Sequence, residues 1–226
     1  LFHVLCGLEE SDRLGAIVEY LWANIWKPQP PPDLSGAIAT LLAAALVERR
    51  PDAQDDPYGI TIHPGVAEAG RADAGNRLQG DIDRLMQVLW EGVMKRAATG
   101  DLGERTTNTI VRAGLSAFPY QSRCGAWAAA GEMLQAIASV DKSPATTAAV
   151  LLLMRRIAAG TEGTEDELHG KVLLATVLSR TDPAEARVLA RDVIDRALAK
   201  QDDRTAAAAC TTLMEIFMRS GRYLDA

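Results

Sequence analysis

Apolar residues recur mostly at three- and four-residue intervals, and this spacing predicts helices over nearly the whole chain. The first run covers residues 1–10. Ser11 and Asp12, both capping residue types, precede a second run over 13–27, in which Ile17, Tyr20, Leu21, Asn24 and Ile25 keep helical spacing. Trp22 and Trp26 lie four apart on a neighbouring face and read as core. The segment Pro28-Gln-Pro-Pro-Pro32 ends this helix, and Asp33 caps a third over 34–47. From Leu78 onward helices are expected at 77–99, 104–118, 125–139, 144–160, 165–180, 183–200 and 203–220. Gly100-Asp101, Ser143-Pro144, Gly160 with Gly163, Asp182-Pro183, Gln201-Asp-Asp203 and Ser220-Gly221 punctuate them. Linkers this short imply antiparallel neighbours stacked side by side.

One stretch breaks the helical period. Tyr58-Gly-Ile-Thr-Ile62 alternates in the manner of a strand, then His63 and a Pro64-Gly65 break lead into a new helical start. A strand over 58–63 is expected to pair with residues 46–50. Three helices followed by a hairpin is the order of a winged helix. The fold expected is therefore mainly α: a small winged-helix domain over 1–75, then an irregular array of α-α repeats over 76–226.

Composition narrows the function. The 226 residues are 48% hydrophobic and 24% charged, ordinary for a globular protein, with a net charge of −6. Residues 1–70 carry only Arg13, Lys27, Arg49 and Arg50 against ten acidic residues, and the third helix has no base before Arg49. Such a surface repels a polyanion, so duplex DNA is not an expected partner. Cys6, Cys124 and Cys210 fit neither a zinc spacing nor a disulfide framework. They point to a reducing cytoplasm, with at least two of them expected to be buried on helices. The longest apolar run, 37–47, is about half of the roughly 20 residues a membrane span needs. The chain has no initiator Met and stops where a further helix is expected, so it reads as a piece of a longer protein.

Three segments share a turn pattern: QSRCGAWAAA (121–130), VLSRTDPAEA (177–186) and FMRSGRYLDA (217–226). They resemble the inter-helix turn of tetratricopeptide repeats, although they are 56 and 40 residues apart where that family uses 34. The whole order resembles the C-terminal half of STAND-type signalling ATPases, the class that includes the NB-ARC proteins, with LFHVLCGLEESDR, ALVERR, YGITIHPGVAEAGR and the repeat turns carrying the likeness. In that class a nucleotide-binding module precedes a winged helix and a helical-repeat sensor. The resemblance implies a protein–protein interaction and sensing role. It places a peptide or protein partner in the groove lined by the first helix of each repeat, at Lys171, Leu178, Ser179, Thr211, Glu215, Met218 and Arg219. It also makes His63 a candidate sensor of nucleotide phosphate in the full-length protein, although Pro64 stands where the family has Asp. The plainer reading of His63 is a residue that caps the next helix or packs on tryptophan.

Enzymatic chemistry has little support. There is no G-x-x-x-x-G-K-[ST] run, and GDLGERT (100–106) lacks its spacing and lysine. Any ATPase activity, and any ATP or ADP, belongs to a module outside these residues. His3, His63 and His169 are scattered. The acidic cluster Glu162, Glu165, Asp166 and Glu167 beside His169 reads as a solvated helix start rather than a metal site. The alternatives are a winged-helix transcriptional regulator with a repeat-type oligomerisation domain, and a free-standing repeat scaffold. Leu213, Phe217 and Tyr223 are expected to be under-buried at the end of the array, or covered by a second copy of the chain.

Overall fold

The described residues of the computed structural model are 1–50, 56, 59–100 and 104–221. Local signals set most element ends. Asp33 caps α3 (Leu34–Ala43), its carboxylate accepting from the Ser35 and Gly36 N–H groups. Ser143 caps α7 (Pro144–Gly160), Asp182 caps α9 (Pro183–Ala199) and Asp202 caps α10 (Asp203–Arg219). Each accepts from the N–H three residues on, which satisfies a donor the helix cannot pair internally. The remaining helices are α1 (Phe2–Gly7), α2 (Gly15–Ile25), α4 (Pro64–Ala98), α5 (Glu104–Arg123), α6 (Trp127–Val140) and α8 (Glu167–Leu178). The protein is thus mainly helical, with one two-stranded antiparallel sheet among the described residues.

That sheet is shorter than the sequence suggests. β1 (Glu48–Arg49) pairs with β2 (Ile60–Thr61), Glu48 opposite Thr61 and Arg49 opposite Ile60. Ile62 and His63 lie beyond the strand, and Tyr58 is outside the described residues. The third helix stops at Ala43 rather than Val47 because the chain turns left-handed at Ala45, φ 53°. The Leu46 N–H bonds the Leu41 carbonyl and the Ala45 N–H bonds that of Leu42, a Schellman closure.

Other boundaries moved for tertiary reasons. Helix α4 runs from Pro64 to Ala98 and is broken only at Gly75, whose φ of 76° suits a residue without a Cβ. Helix α5 continues past Pro119 to Arg123, burying Tyr120 and Gln121. Ser11 and Asp12 do not cap α2. Asp12 is buried instead, and the Gly15 N–H at the start of α2 donates to the Asp56 carboxylate at 2.7 Å.

The chain divides into two compact units. The first comprises Leu1–Gly92 and Pro119–Cys124, the second Val93–Phe118 and Gly125–Ala226. In the first, Leu5, Leu8, Leu21, Ile38, Ile60, Ile82, Met86 and Tyr120 are fully buried. Trp22 belongs to this core and donates its indole N–H to the Pro32 carbonyl at 2.8 Å, whereas its edge-on neighbour Trp26 is exposed. Cys6 is the one buried cysteine. Cys124 and Cys210 are exposed, so the expectation of two buried thiols fails: Cys124 falls in the turn after α5 and Cys210 on an outward position of α10.

In the second unit α8 packs against α6, α7, α9 and α10. Its core joins Phe118, Leu134, Ile137, Val150, Met154, Ile157, Leu174, Val177, Leu178 and Ile216. A smaller cluster of Leu168, Val172, Val193, Ala197, Ala206 and Ala209 binds α8, α9 and α10. Gly131 lets α6 lie close on α8, since a Cβ there would collide with Leu173. Within α7, Met154 is buried, while Leu152 is exposed. Phe217 is buried rather than wet and Leu213 is half-buried, because the apolar side of α10 lies against α8 and α9. Tyr223 lies outside the described residues.

Candidate functional site

Helices α6, α8 and α10 follow one another side by side in the second unit, α6 on α8 and α8 on α10. Where their C-terminal ends meet the first turns of α7, the surface is hollow. The cleft measures about 730 Å³ and is walled by residues of all four helices. Its apolar wall includes Ala138, Pro144, Ala148, Leu151 and Val177. Its polar groups are led by Lys142, Arg180, Arg219 and Glu215.

These cations occupy corresponding places. Lys142 follows the end of α6 by two residues, Arg180 follows the end of α8 by two, and Arg219 is the last residue of α10. Positive charge at a helix C-terminus is favourable because the terminal carbonyls carry partial negative charge. Two of the three also tie one helix to the next. Arg180 Nη1 donates to the Ala138 carbonyl of α6 at 3.0 Å. Arg219 Nη1 donates to Ser179 Oγ, after α8, at 3.5 Å. Both partners are uncharged, so neither arginine is neutralised by these bonds. Among the described residues Glu215 supplies the only carboxylate lining the cleft, 3.9 Å from Arg219. Asp141, next to Lys142, is committed locally. It accepts from Thr146 Oγ1 at 2.6 Å and from the Ser143 N–H at 2.8 Å, and these bonds hold its carboxyl below the usual range.

The residues expected to line a groove divide into three groups. Glu215 and Arg219 do line this cleft. Ser179 is buried behind it, and Leu178 is fully buried in the core, because the last residue of α8 and the one after it face neighbouring helices. Thr211 and Met218 are exposed on α10 but are not part of the cleft wall. Lys171 is engaged elsewhere, at 2.8 Å from Glu167. Lys142 and Arg180 were not foreseen. A signal for the arginine existed: each of the three turn segments carries an arginine at its third or fourth position, Arg123, Arg180 and Arg219. The third, Arg123, also tethers, pairing with Asp83 at 2.9 Å and with Glu9 in the first unit.

The acidic cluster is not simply solvated. Glu167 is buried, 7% exposed, and its carboxylate sits 2.8 Å from both Lys171 and Arg196. Arg196 and Lys171 together hold its pKa down to about 2. Among the described residues no three His, Cys, Asp or Glu side chains converge as metal donors, and no helix is long and apolar enough to cross a membrane.

His63 stands apart from these groups. It is exposed at the start of α4, where its Nδ1 accepts from the Gly65 N–H at 3.2 Å and its carbonyl accepts from Val66 and Ala67. This is a capping geometry, and no tryptophan takes part in it.

Comparison with protein-family models, with curated proteins and with solved structures finds no match.

Proposed function

We propose that this chain is a protein-interaction module that receives a peptide segment of a partner in the cleft between α6, α7, α8 and α10. The observation that carries the reading is the cleft itself: a concave surface with an apolar wall and a few convergent polar groups, built on side-by-side helices. Tetratricopeptide-like stacking agrees with the succession of α6, α8 and α10 in one row, with α7 and α9 each packed between members of it. Within the STAND-like reading, the module senses and a nucleotide-binding module acts. There the hairpin and the three helices before it serve as a winged helix, and His63 is left to reach a bound nucleotide's phosphate with Nε2 while Nδ1 caps α4. No catalytic role is assigned to these residues.

Panning an unbiased random peptide library on the purified chain tests the interaction reading. Peptides enriched on the native chain and lost on Ala148→Arg, which fills the cleft, are expected. Failure to enrich any sequence, or equal retention on the filled variant, overturns it. The coding sequence before Leu1 tests the wider assignment: a strand followed by a P-loop there is expected, and a flanking region without one removes the STAND reading.

A further inference from the structure

The cleft carries more positive charge than its surroundings explain. Among the described residues three cations, Lys142, Arg180 and Arg219, line it against one carboxylate, Glu215, in a chain whose net charge is −6. Arg180 and Arg219 spend hydrogen bonds on a carbonyl and a hydroxyl, neither of which cancels charge. Lys142 forms no hydrogen bond or ion pair with another described residue. Arg219 reaches Glu215 only at 3.9 Å, whereas elsewhere in the second unit cations of comparable exposure meet carboxylates closely: Arg155 with Glu185 at 2.7 Å and Arg196 with Glu167 at 2.8 Å. Helix C-termini account for one cation at each end, since each neutralises a local dipole. They do not account for three converging on one hollow with an apolar wall.

We infer that the cleft between α6, α7, α8 and α10 recognises an acidic peptide segment, with Lys142, Arg180 and Arg219 as its charge partners. This rests on the interaction reading above and names the partner's chemistry. Aspartate or glutamate side chains of an extended segment would face the three cations. Apolar side chains between them would rest on Ala148, Leu151 and Val177. Complementary charge of this kind chiefly governs encounter rate and selectivity, and the apolar wall supplies the rest of the affinity. A nucleic acid fits less well. Among the described residues the cleft has no aromatic side chain on which a base could stack, and the net negative charge of the chain opposes a long polyanion.

The test measures fluorescence anisotropy of a short labelled Glu/Asp-rich peptide with interspersed leucines, binding to the whole chain. The matched probe replaces each acid by its amide. The acidic peptide is expected to bind at least about tenfold more tightly than the amide peptide, with an advantage that shrinks as salt is raised. Lys142→Glu and Arg219→Glu, both at exposed positions, should each remove most of that advantage; the melting temperature should hold for Lys142→Glu and fall modestly for Arg219→Glu, which loses the bonds to Ser179 and Glu215. The double reversal should favour a Lys-rich peptide of the same apolar pattern. Equal binding of acid and amide peptides, indifference to both reversals, or absence of binding to the acidic probe overturns the inference. Inorganic phosphate or a single-stranded oligonucleotide binding as tightly as the peptide also overturns it. The random library separates the two claims: cleft-dependent enrichment of neutral or basic sequences leaves the interaction reading standing and defeats this one.

Discussion

The phenol of Tyr120 donates a 2.6 Å hydrogen bond to the carboxylate of Asp12, a residue 108 positions earlier in the chain. The same carboxylate oxygen accepts the Trp90 indole N–H at 3.4 Å, and the Tyr120 hydroxyl accepts the Glu9 N–H at 3.0 Å. Arg123 lies over the Tyr120 ring at 4.8 Å and pairs with Asp83. Burial, reinforced by the Asp12 charge, pushes the Tyr120 phenol far above its ordinary range, so it remains a donor. The first unit is thus joined by a buried polar network in which chain-distant partners satisfy one another. In a low-dielectric interior such a network is costly to leave incomplete.

Tyr120→Phe removes one donor and orphans the Glu9 N–H. The expected loss is about 1–3 kcal/mol of unfolding free energy, with the fold retained. Urea denaturation of the two proteins measures it. A loss of only a few tenths would mean that water replaces the hydroxyl without penalty.

Asp12 and Glu167 should give pH dependences of opposite sign. Burial raises the folded-state pKa of Asp12. The folded protein therefore holds this proton longer than the unfolded chain. On this account stability falls as pH rises from the ordinary aspartate value of about 3.9 through the raised one. Asp12→Asn keeps an oxygen for Tyr120 and Trp90, and its stability relative to the native protein should grow over that interval.

Glu167 behaves in reverse. Its pKa is lowered to about 2 by Arg196 and Lys171. Its contribution is complete above the ordinary glutamate value of about 4.3 and is lost as pH falls through the folded value. Glu167→Gln should therefore flatten the stability profile between those limits. Melting curves followed by circular dichroism across the acid range check both carboxylates, and parallel profiles for native and variant proteins would contradict the assignment.

Arg180 closes the end of α6 from α8 through the Ala138 carbonyl. Arg180→Met keeps much of the aliphatic stem and removes the donor, and is expected to cost about 1 kcal/mol. Hydrogen exchange should rise chiefly at the last turn of α6. Loss spread evenly over the unit would indicate a packing role instead.

Ala45 and Gln201 hold left-handed conformations, φ 53° and 59°, at the ends of α3 and α9. Both close Schellman turns, the second through Gln201 N–H to Leu198 and Asp202 N–H to Ala197. A side chain at such a position costs about 1–2 kcal/mol. Glycine relieves this but frees the unfolded chain. Ala45→Gly and Gln201→Gly should each raise unfolding free energy by roughly 0.5–1 kcal/mol, and a decrease in either would show that the side chain is held by contacts beyond the turn.

The sequence by itself determined the helical character and most of the punctuation. Ser143-Pro144, Asp182-Pro183 and Asp202 mark helix starts because an N-cap needs only a side-chain oxygen and an N–H three residues away. The β-like alternation before Pro64 likewise located β2, since period and turn chemistry are local properties. Tertiary structure decided what depends on distant residues. Asp12 has the composition of a cap, yet its partners are Tyr120 and Trp90, and α2 takes its cap from Asp56, 41 residues beyond Gly15. Leu178 had the spacing of a groove residue and Phe217 that of an exposed terminus, but the neighbours on α8 and α10 turned both inward. Glu215 and Arg219 could be named from the turn pattern. Lys142 and Arg180 could not be joined to them, because a cleft is a convergence of helix ends, and the path of the chain between those ends leaves no trace in local periodicity.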